Sequence, residues 1–482
     1  MLAQLETTAL LPDVQALAGM SHVLALLPPG EAPLPGCPDS VALAAALERR
    51  GKTFPSLTRT PLAADVGGTL RVWAMVDPLA SRFDQLTVVR KAFQLLLAEE
   101  PRAVHVVLDG EASFVAVAAD LATYVGLANG APLPNRKRTD APKALERLVL
   151  WGAARWPAQA AALAEASVVA RSLVALPPNT LTPDAYRDRL AEMADDLGWG
   201  LEEFDEDRLA ELGAGAFLAV AQGSVAGDAA IVRLTYESAR GGPRVALVGK
   251  GICFDTGGHN LKPARSMAGM HEDMAGSAVV LGILLAATRL ALPLRIDAWL
   301  AIARNEISPD AYRQGDVVTA LDGTTIEVVH TDAEGRMVLA DTLALAARDE
   351  PDLVLDFATL TGSLITALGT RYGGVFSPDA ELAAAAVAAG RASGERMCAF
   401  PMDEDYEADL ESKVADVKQC TLESDADHIL GARFLARFVG KCPWVHVDLA
   451  AAACKGGLGG IVSDQTGFGI AWGLAFLSKR LQ

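Results

Sequence analysis

The first third of the chain alternates short apolar runs with amphipathic stretches. The apolar runs at residues 22–27, 70–76 and 103–108 have the length and continuity of buried strands. Residues 41–48 carry apolar side chains at the spacing of a helix with one buried face. Strands that alternate with helices are typical of an α/β domain, in which helices cover a sheet. The pattern therefore predicts an amino-terminal α/β domain over residues 1–165.

An alanine-rich stretch at residues 142–176 predicts a helix. Within it, Gly152 and Pro157 indicate a kink or a fresh start, because neither residue favours a helix interior. The part after Pro157 is long enough to link two domains, and it ends at the Pro-Pro-Asn sequence of residues 177–179. The predicted domains are residues 1–165, ending in a linking helix to about residue 176, and residues 177–482.

The second half of the chain repeats strand, loop and helix. The run Val245–Val248 is apolar without interruption, as in a strand that is buried on both faces. Residues 403–427 are acidic and polar with few aromatic side chains, so we expect them to lie on the surface. The predicted strands lie near residues 216–222, 230–235, 244–249, 295–303, 326–330, 353–357 and 444–448.

The composition argues against several classes of protein. A chain of 482 residues exceeds what one core usually holds, which favours two domains. The net charge of -18 repels phosphate backbones and anionic lipids, so neither nucleic acid nor a membrane is an expected partner. The six cysteines form no CxxC pair. Residues 1–15 lack the features of a signal peptide, and apolar stretches such as residues 278–287 are too short to span a bilayer. We therefore expect a cytoplasmic protein.

Acidic residues follow two of the predicted strands. Asp255 comes after the Val245–Val248 run and before a Gly-Gly turn, whereas Asp332 and Glu334 come after residues 326–329. Charges at the mouths of buried strands cost desolvation free energy unless they are paired or bind a metal ion. These carboxylates therefore predict a site for divalent cations.

Four further residues bear on this site. Asp273 begins a predicted helix at residues 273–290, and alone it is explained equally well by a helix cap. Lys250 and Lys262 are explained by solvent exposure as readily as by a role in the site. Arg336 offers a rigid fork of donors that suits an anion or a developing oxyanion. Carboxylates that bridge two divalent ions, roughly 3.5–4 Å apart, allow the ions to activate a water and clamp a substrate oxygen. Taken together, these residues favour a centre of two divalent ions.

Four segments resemble the cytosol (leucyl) aminopeptidase family of dinuclear metallopeptidases in their order and spacing. They are VGKGICFDTGGHNLKP (residues 248–263), MHEDMAGSAVVLG (270–282), HTDAEGRMVLADTLALA (330–346) and DFATLTG (356–362). The resemblance covers residues 165–482, and the TDAEGR motif is highly specific in this context. It implies a two-domain α/β fold whose carboxyl-terminal catalytic domain has a mixed central β-sheet flanked by helices.

The resemblance implies two divalent metal ions per subunit, chosen from Zn, Mn, Mg and Co. Asp255 and Glu334 would bridge the ions, and the main-chain carbonyl of Asp332 would be a further ligand. Lys250 would bind as a neutral amine, which requires that the cations and burial depress its pKa. The ligands of one ion would be Lys250, Asp255, Asp273 and Glu334, and those of the other Asp255, Asp332 and Glu334.

The implied reaction is the release of the amino-terminal residue from peptides and aminoacyl amides by a water that bridges the metals. The substrate's free amine would bind one metal. Lys262 would stay charged and stabilise the gem-diolate oxyanion, and Arg336 would hold a bicarbonate that acts as general base toward the water. The resemblance also implies a homo-hexamer, a dimer of trimers with active sites facing an interior cavity. The side-chain pocket would be lined by Met270, Thr359, Gly362, Ala450 and Ala453.

The chain departs from the family pattern outside the ligand and catalytic positions. His330 stands where the family usually has Asn, and we expect its ring to face the first residue of the substrate or its amine. A role as metal ligand and a plain hydrogen-bonding role are the alternatives for His330. Residues 271–272, Ala275, the loop 304–310 and the stretch 419–429 differ as well. These departures predict a changed substrate preference.

Two interpretations from other classes stay open. The sequence Asp65–Thr69 is similar to the phosphate-binding turn of sugar kinases, but no second phosphate motif follows and the metal ligands would have no role. A relative can also become a binding or structural protein by losing its ligands, although every ligand position is filled here. ATP consumption would identify the first alternative, and bound metal without turnover the second.

Overall fold

The computed structural model describes residues 2–34, 37–423 and 425–480. The chain separates into two compact units, each of which contains buried apolar clusters. The first unit comprises Met1–Val168, Arg391–Gly394 and Cys454–Thr466, and the second comprises Val169–Gly390, Glu395–Ala453 and Gly467–Gln482.

Strands and helices alternate along most of the described chain. The strands are β1 (Gln4–Thr8), β2 (His22–Leu27), β3 (Leu62–Asp65), β4 (Leu70–Met75), β5 (Ala103–Leu108), β6 (Arg147–Trp151), β7 (Gly200–Asp205), β8 (Ala230–Glu237), β9 (Arg244–Asp255), β10 (Arg295–Asn305), β11 (Val317–Thr319), β12 (Thr325–Glu327), β13 (Leu353–Ala358), β14 (Gly373–Phe376), β15 (Met397–Ala399), β16 (Val417–Lys418) and β17 (Trp444–Asp448). The helices are α1 (Val14–Ala18), α2 (Ser40–Arg49), α3 (Arg82–Leu97), α4 (Ala112–Gly130), α5 (Ala158–Val174), α6 (Pro183–Leu197), α7 (Glu206–Leu212), α8 (Gly215–Ala221), α9 (Ala264–Met267), α10 (Ala275–Arg289), α11 (Glu334–Ala347), α12 (Gly362–Leu368), α13 (Ala380–Ser393), α14 (Asp427–Leu435) and α15 (Ile470–Arg480). Short 3₁₀ helices span Phe54–Thr58, Met270–Glu272, Glu404–Leu410 and Ala436–Phe438.

The first unit is built on a six-stranded sheet in the order β1-β6-β5-β2-β4-β3. Neighbouring strands are parallel except for β3 and β4, which form an antiparallel pair. Helices α3 and α4 pack against the sheet, as the amphipathic pattern requires. The apolar runs at residues 22–27, 70–76 and 103–108 form β2, β4 and β5, so the α/β class predicted for this part of the chain is confirmed.

Two of the predicted elements have the wrong type. The strand predicted at residues 216–222 is helix α8, because an apolar run that is buried on all sides does not distinguish a strand from a short helix. The helix predicted from residue 142 begins only at Ala158, after Pro157. Within the stretch before it, Arg147–Trp151 form β6, whose backbone pairs with β1 on one side and β5 on the other. Sheet pairing therefore overrides the helical propensity of the surrounding alanine-rich sequence.

The acidic stretch at residues 403–427 is only in part the predicted surface excursion. Most of its described side chains are exposed or half-buried, but those of Leu410, Val417, Gln419 and Cys420 are buried. Strand β16 lies within this stretch and joins β11 and β12 in a three-stranded sheet, β11-β12-β16. Strand β12 is shorter than the strand predicted at residues 326–330. The stretch therefore contributes directly to the core beside β12.

The second unit is built on an eight-stranded sheet in the order β15-β14-β17-β13-β9-β10-β8-β7. The four central strands β17, β13, β9 and β10 are parallel neighbours, whereas β8 and β7 pair antiparallel at one side. The predicted mixed central sheet is thus confirmed. Because the carboxyl ends of parallel strands meet at one edge, the residues that follow β9, β10, β13 and β17 converge there.

Helices α10 and α11 both pack against β9, and successive residues of the strand face different helices. Val248 and Ile252 lie in the same apolar cluster as the buried side chains of α11. A Cβ atom on Gly249 would lie 2.6 Å from the Cα of Ser277 in α10, so only glycine allows α10 to approach so closely. Lys250 shares the strand face of Val248, and this alternation directs its side chain toward the start of α11.

Two stretches, Ala112–Gly130 and Ala264–Arg289, are long and apolar enough to cross a membrane by length and composition alone. Within their most apolar windows, 61% and 83% of the residues are buried inside the structure. A buried core helix passes the same test, so these stretches are weak indications of a membrane segment.

Candidate metal centre

The predicted metal ligands come from three segments near the carboxyl edge of the second sheet. Strand β9 continues beyond the strand predicted at residues 244–249, so Asp255 is its last residue and Lys250 lies inside it. Asp273 follows a 3₁₀ turn and lies just ahead of α10 rather than inside it. Asp332 belongs to the loop before α11, and Glu334 is the first residue of that helix rather than part of a strand end. Strand ends and helix starts therefore supply the site together.

Three of these carboxylates form a buried cluster. Asp255, Asp273 and Glu334 each offer an oxygen atom, and these atoms lie within 4.8 Å of one another. Their residues are only 2%, 6% and 1% exposed. Carboxylates buried at such short separation repel one another unless cations balance them. The arrangement therefore fits oxygen ligands gathered around divalent cations.

Lys250 supplies one positive charge to this cluster. Its Nζ lies 2.7 Å from Asp273 Oδ2 and 2.8 Å from Glu334 Oε1, and it donates to the main-chain oxygen of Thr359 at 3.2 Å. Burial alone would lower the pKa of Lys250, but Asp273, Glu334 and Asp255 outweigh burial and raise the pKa above its usual range. The Lys250 nitrogen therefore lies among the carboxylate oxygens, where a metal ligand would have to lie.

Lys262 supplies a second positive charge to the cluster. Its Nζ lies 2.9 Å from Asp255 Oδ2 and 2.5 Å from Asp332 Oδ1, and its side chain is 14% exposed. Burial would lower the pKa of Lys262, but the neighbouring carboxylates raise it above the usual range. The turn before Lys262 requires Gly257, which has a φ of +85° and whose Cβ would meet Asp332 Oδ1 at 2.9 Å. Lys262 is thus a charged group that is fixed beside the cluster yet reachable from solvent.

The carboxylates of the cluster can bind cations in addition to the two lysine side chains. Burial, and with it the neighbouring carboxylates, raises the pKa values of Asp273 and Asp332 despite the contacts that these residues make with the two lysines. Glu334 Oε2 is buried and has no hydrogen-bond partner among the residues that the structure describes. A buried carboxylate oxygen without a partner is costly in a folded protein. These residues therefore fit bound divalent cations.

Two buried residues that the sequence did not predict hold the ligand segments in place. Asn305, the last residue of β10, donates to Asp255 Oδ1 at 2.8 Å and to the main-chain oxygen of Thr331 at 3.0 Å. Tyr312 donates to the same oxygen at 2.7 Å. Asn305 pairs with Asp255 across β9 and β10 and ends a long apolar run, as Asp255 does. This position at the end of an apolar run is the sequence feature from which Asn305 could have been predicted as part of the site.

Arg336 lies beside the ligand segment and is only 2% exposed. Its Nη1 donates to the main-chain oxygen of Gln419 at 2.8 Å, and its Nη2 donates to Asp427 Oδ1 at 2.8 Å. Its Nε is buried without a hydrogen-bond partner within the described part of the chain. The Nε donor of this buried cation is therefore available to an anion, whereas each Nη group makes one hydrogen bond within the chain.

His330 contacts the backbone of the ligand loop. Its Nδ1 accepts a hydrogen bond from the main-chain N–H of Asp332 at 3.2 Å, and the main-chain N–H of His330 donates to Gln419 Oε1 at 3.2 Å. Burial, and then the charge of Lys262, lower the pKa of the ring. Nδ1 is thus used within the loop, and the role of His330 toward the substrate or a metal stays a prediction.

The residues expected to line a side-chain pocket come from segments at the same edge of the sheet. Thr359 directly follows β13, and its hydroxyl donates to Asp273 Oδ1 at 2.6 Å, which ties it to the carboxylate cluster. Gly362 is exposed at the start of α12, and Met270 is half-buried in the turn before Asp273. The segment after β17 carries Ala450, which is buried, and Ala453, which is half-buried.

Comparison with known sequences matches the chain to a described family. The matching family is the cytosol aminopeptidase family, through its catalytic domain, over residues 168–472. A probable cytosol aminopeptidase of Leifsonia xyli subsp. xyli is 43% identical over 306 residues, which are 61% of this chain and 61% of the relative. A probable cytosol aminopeptidase of Syntrophotalea carbinolica is 41% identical over 326 residues, 66% of this chain and 65% of the relative. The chain thus spans less than two thirds of the length of these relatives.

Solved structures with the same fold extend over nearly the whole chain. The bottromycin maturation enzyme BotP in complex with Mn has a TM-score of 0.84 and 33% identity, and the match covers 96% of this chain and 100% of that one. A mutant of tomato leucine aminopeptidase has a TM-score of 0.86 and 27% identity, with coverages of 99% and 97%. The similarity therefore includes both units of the chain.

Proposed function

Since the chain belongs to the cytosol aminopeptidase family, we propose that it is a metal-dependent aminopeptidase that releases the amino-terminal residue from peptides and aminoacyl amides. One observation carries this proposal: three buried carboxylates whose oxygens lie within 4.8 Å of one another. Lys250 contacts Asp273 of this cluster, and Lys262 contacts Asp255. Such a concentration of buried charge is costly for stability alone and is typical of a functional site.

The cluster would hold two divalent ions, among which Zn, Mn, Mg and Co are the candidates. When bound, the ions supply Lewis-acid chemistry, in that they activate a water and polarise the carbonyl of the scissile bond. The unpartnered Glu334 Oε2 supports its role as a bridging ligand, and the relative BotP was solved with Mn. The proposed ligands are Lys250, Asp255, Asp273 and Glu334 for one ion, and Asp255, Asp332 and Glu334 for the other.

Lys250 would serve as a ligand through its neutral amine. The Nζ lies 2.7 Å from Asp273 and 2.8 Å from Glu334, so it is among the atoms that would surround the first ion. The carboxylates raise the pKa of the amine, whereas a nearby divalent cation acts in the opposite direction. Metal binding would therefore release the proton of Lys250 as the cation takes over its electrostatic role.

Lys262 would act on the substrate rather than on the metals. Its ammonium group is fixed by Asp255 and Asp332 but is 14% exposed, so it can meet a bound peptide. A fixed cation stabilises the negative charge that develops on the carbonyl oxygen during hydrolysis. Because that charge is largest in the transition state, Lys262 would contribute to kcat.

Arg336 would bind a bicarbonate ion through its unpartnered Nε. Its Nε is buried and unpartnered, which fits an anion, while Gln419 and Asp427 orient the rest of the guanidinium. The chemistry that bicarbonate would supply is that of a general base toward the attacking water. Arg336 itself stays protonated at neutral pH and cannot act as the base, so its role is to bind and orient.

The substrate would lie over the segments that follow β13 and β17. Met270, Thr359, Gly362, Ala450 and Ala453 are proposed to line the pocket for the first side chain. Thr359 connects this pocket to the cluster through its contact with Asp273. The free amine of the peptide would approach the metals, which restricts the reaction to amino termini. A homo-hexamer in the cytoplasm is the proposed setting, and His330 is proposed to influence which first residue is preferred.

Initial rates on a panel of aminoacyl amides and dipeptides test this function. Each assay uses metal-stripped protein reloaded with a single divalent metal, and amino-terminally acetylated versions of the same substrates serve as controls. We expect hydrolysis of free-amine substrates and none of the acetylated ones. Equal hydrolysis of both sets would contradict an aminopeptidase, and metal binding without turnover of any substrate would favour a binding protein.

A further inference from the structure

Gln419 directly follows β16 and contacts the loop that carries the proposed metal ligands. It is 0% exposed, although it lies in an otherwise acidic and mostly surface stretch. Its position depends on the pairing of β16 with β12, the strand from which the ligand loop emerges. The two segments are far apart in sequence, so the contact is a feature of the tertiary fold.

The side-chain amide of Gln419 binds the loop backbone at three points. Its Oε1 accepts from the main-chain N–H of Val329 at 2.7 Å and of His330 at 3.2 Å. Its Nε2 donates to the main-chain oxygen of Ala333 at 3.3 Å. The three bonded groups lie on both sides of Asp332, and Ala333 directly precedes Glu334. One side chain therefore spans the turn that presents both proposed ligands.

The main chain of Gln419 holds a second part of the proposed site. Its carbonyl oxygen accepts from Arg336 Nη1 at 2.8 Å, and its N–H donates to the main-chain oxygen of Glu327 at 3.1 Å. Gln419 is thus bonded to the end of β12, to the ligand loop and to the guanidinium. A shift of Gln419 would move the ligand loop and Arg336 relative to each other.

The loop needs such a partner because its backbone has left the sheet. Strand β12 ends at Glu327, so the N–H groups of Val329 and His330 have no strand neighbour. Backbone polar groups that are withdrawn from water must find partners within the protein. Tyr312 and Asn305 bind the main-chain oxygen of Thr331, which lies between the residues that Gln419 contacts. The loop backbone is therefore held by Gln419, which also contacts Arg336, and by Tyr312 and Asn305.

We propose that Gln419 is a positioning residue of the metal centre. It fixes Asp332 and Glu334 in the geometry that binds the ions, and it fixes the position of Arg336 relative to these two ligands. This inference rests on the proposed function in its use of the metal ligands. Residues that orient metal ligands typically contribute about 10–100-fold to metal affinity or activity. Gln419 would contribute in this way without touching substrate or metal.

The test substitutes Gln419→Met, which keeps the length of the side chain but removes both its donor and its acceptor. The matched control is Val417→Ala, which removes buried volume from the same strand and leaves the bonds of Gln419 intact; Val417 is 0% exposed. Three quantities are measured: Mn²⁺ affinity of the stripped protein by calorimetry, amide hydrogen exchange of the 326–334 peptide, and kcat and KM for an aminoacyl amide.

We expect Gln419→Met to weaken Mn²⁺ affinity about 10–100-fold and to speed exchange in the 326–334 peptide. When excess metal restores occupancy, kcat should stay low while KM changes little, because Arg336 also loses its alignment. Val417→Ala should lower the melting temperature yet keep Mn²⁺ affinity within about threefold, a spread that packing alone can explain. If Gln419→Met does not fold, Gln419→Asn, which keeps the amide on a side chain that is one methylene shorter and therefore weakens its bonds to the loop, decides the question with a smaller loss of affinity.

Unchanged Mn²⁺ affinity and unchanged exchange in the folded Gln419 variant would overturn the proposal. Equal losses in the Val417→Ala control would also overturn it, because the effect would then reflect stability. A failure of the proposed function gives a different result. In that case the wild-type protein would hydrolyse no aminoacyl amide, while the difference in metal affinity between the two variants would still be observed.

Discussion

Replacement of Lys262 by methionine separates its catalytic role from its electrostatic one. The substitution Lys262→Met keeps most of the side-chain volume and removes the ammonium that lies 2.9 Å from Asp255 and 2.5 Å from Asp332. In the metal-free protein this leaves two carboxylates without their nearest positive charge. In the metal-loaded protein the bound cations would balance the same carboxylates. The variant should therefore behave differently in the two states.

The expected magnitudes follow from the geometry. At 2.9 Å and an effective dielectric constant of about 20, the attraction between Lys262 and Asp255 is about 6 kcal/mol before desolvation is subtracted. Removal of one partner of a buried ion pair costs about 3–5 kcal/mol, and the 26% exposure of Asp332 favours the lower end. Loss of one donor to the developing oxyanion lowers kcat roughly 100-fold or more, equivalent to about 2.7 kcal/mol.

Calorimetric melting, metal titration and steady-state kinetics together test this prediction. We expect the metal-free variant to melt several degrees below the wild type and the metal-loaded variant to recover most of that difference. Metal affinity should be equal or higher, since the cations no longer compete with an ammonium group. The exposed Lys413→Met variant removes the same charge from the same unit and controls for net charge. An unchanged kcat would remove Lys262 from the catalytic set, and a tenfold loss of metal affinity would refute the competition between Lys262 and the metals.

Three further substitutions have distinct expected outcomes. Asp273→Asn removes a proposed ligand that Lys250 and Thr359 also contact, so elemental analysis should find about one metal equivalent fewer per chain, and full occupancy would argue against its role. His330→Asn should keep the metal content but change the ranking of amino-terminal residues in initial-rate assays, whereas loss of a metal equivalent would make His330 a ligand. Burial raises the pKa of Asp341 from 3.8 to about 7, so the folded protein holds a proton that the unfolded chain releases, and stability should fall as the pH rises from about 4 to about 7. In urea unfolding of the metal-free protein, Asp341→Asn should reduce the difference in unfolding free energy between pH 5 and pH 8. An unchanged difference would mean that other groups cause the pH dependence.

The sequence predicts those parts of the site that short motifs encode. Asp332, Glu334 and Arg336 lie within five consecutive residues, so their proximity follows from local geometry around the start of α11. Asp255 lies at the end of an apolar strand, and the parallel neighbours of that strand determine where it emerges. The structure brings the oxygens of Asp255 and Glu334 together with that of Asp273. Their roles as metal ligands stay predictions until metal is measured.

The residues that support the ligands were not predictable in the same way. Gln419 reaches the ligand loop only because β16 pairs with β12, and a two-residue strand in an acidic stretch carries almost no periodic signal. Helix α8 was predicted as a strand for a similar reason, since an apolar run that is buried on all sides lacks the alternation that identifies a strand. Strand β6 was missed because its pairing with β1 and β5 outweighs the local preference for helix. In each case tertiary contacts, rather than local sequence, decide the outcome.

Metal titration of stripped protein tests the central claim most directly. The protein is freed of metal with a chelator, its residual metal is measured by elemental analysis, and Mn²⁺ is added back in steps while hydrolysis of an aminoacyl amide is followed. The account predicts no hydrolysis in the stripped protein and a recovery that saturates at two metal equivalents per chain. Full activity in protein that elemental analysis finds to be metal-free would contradict it.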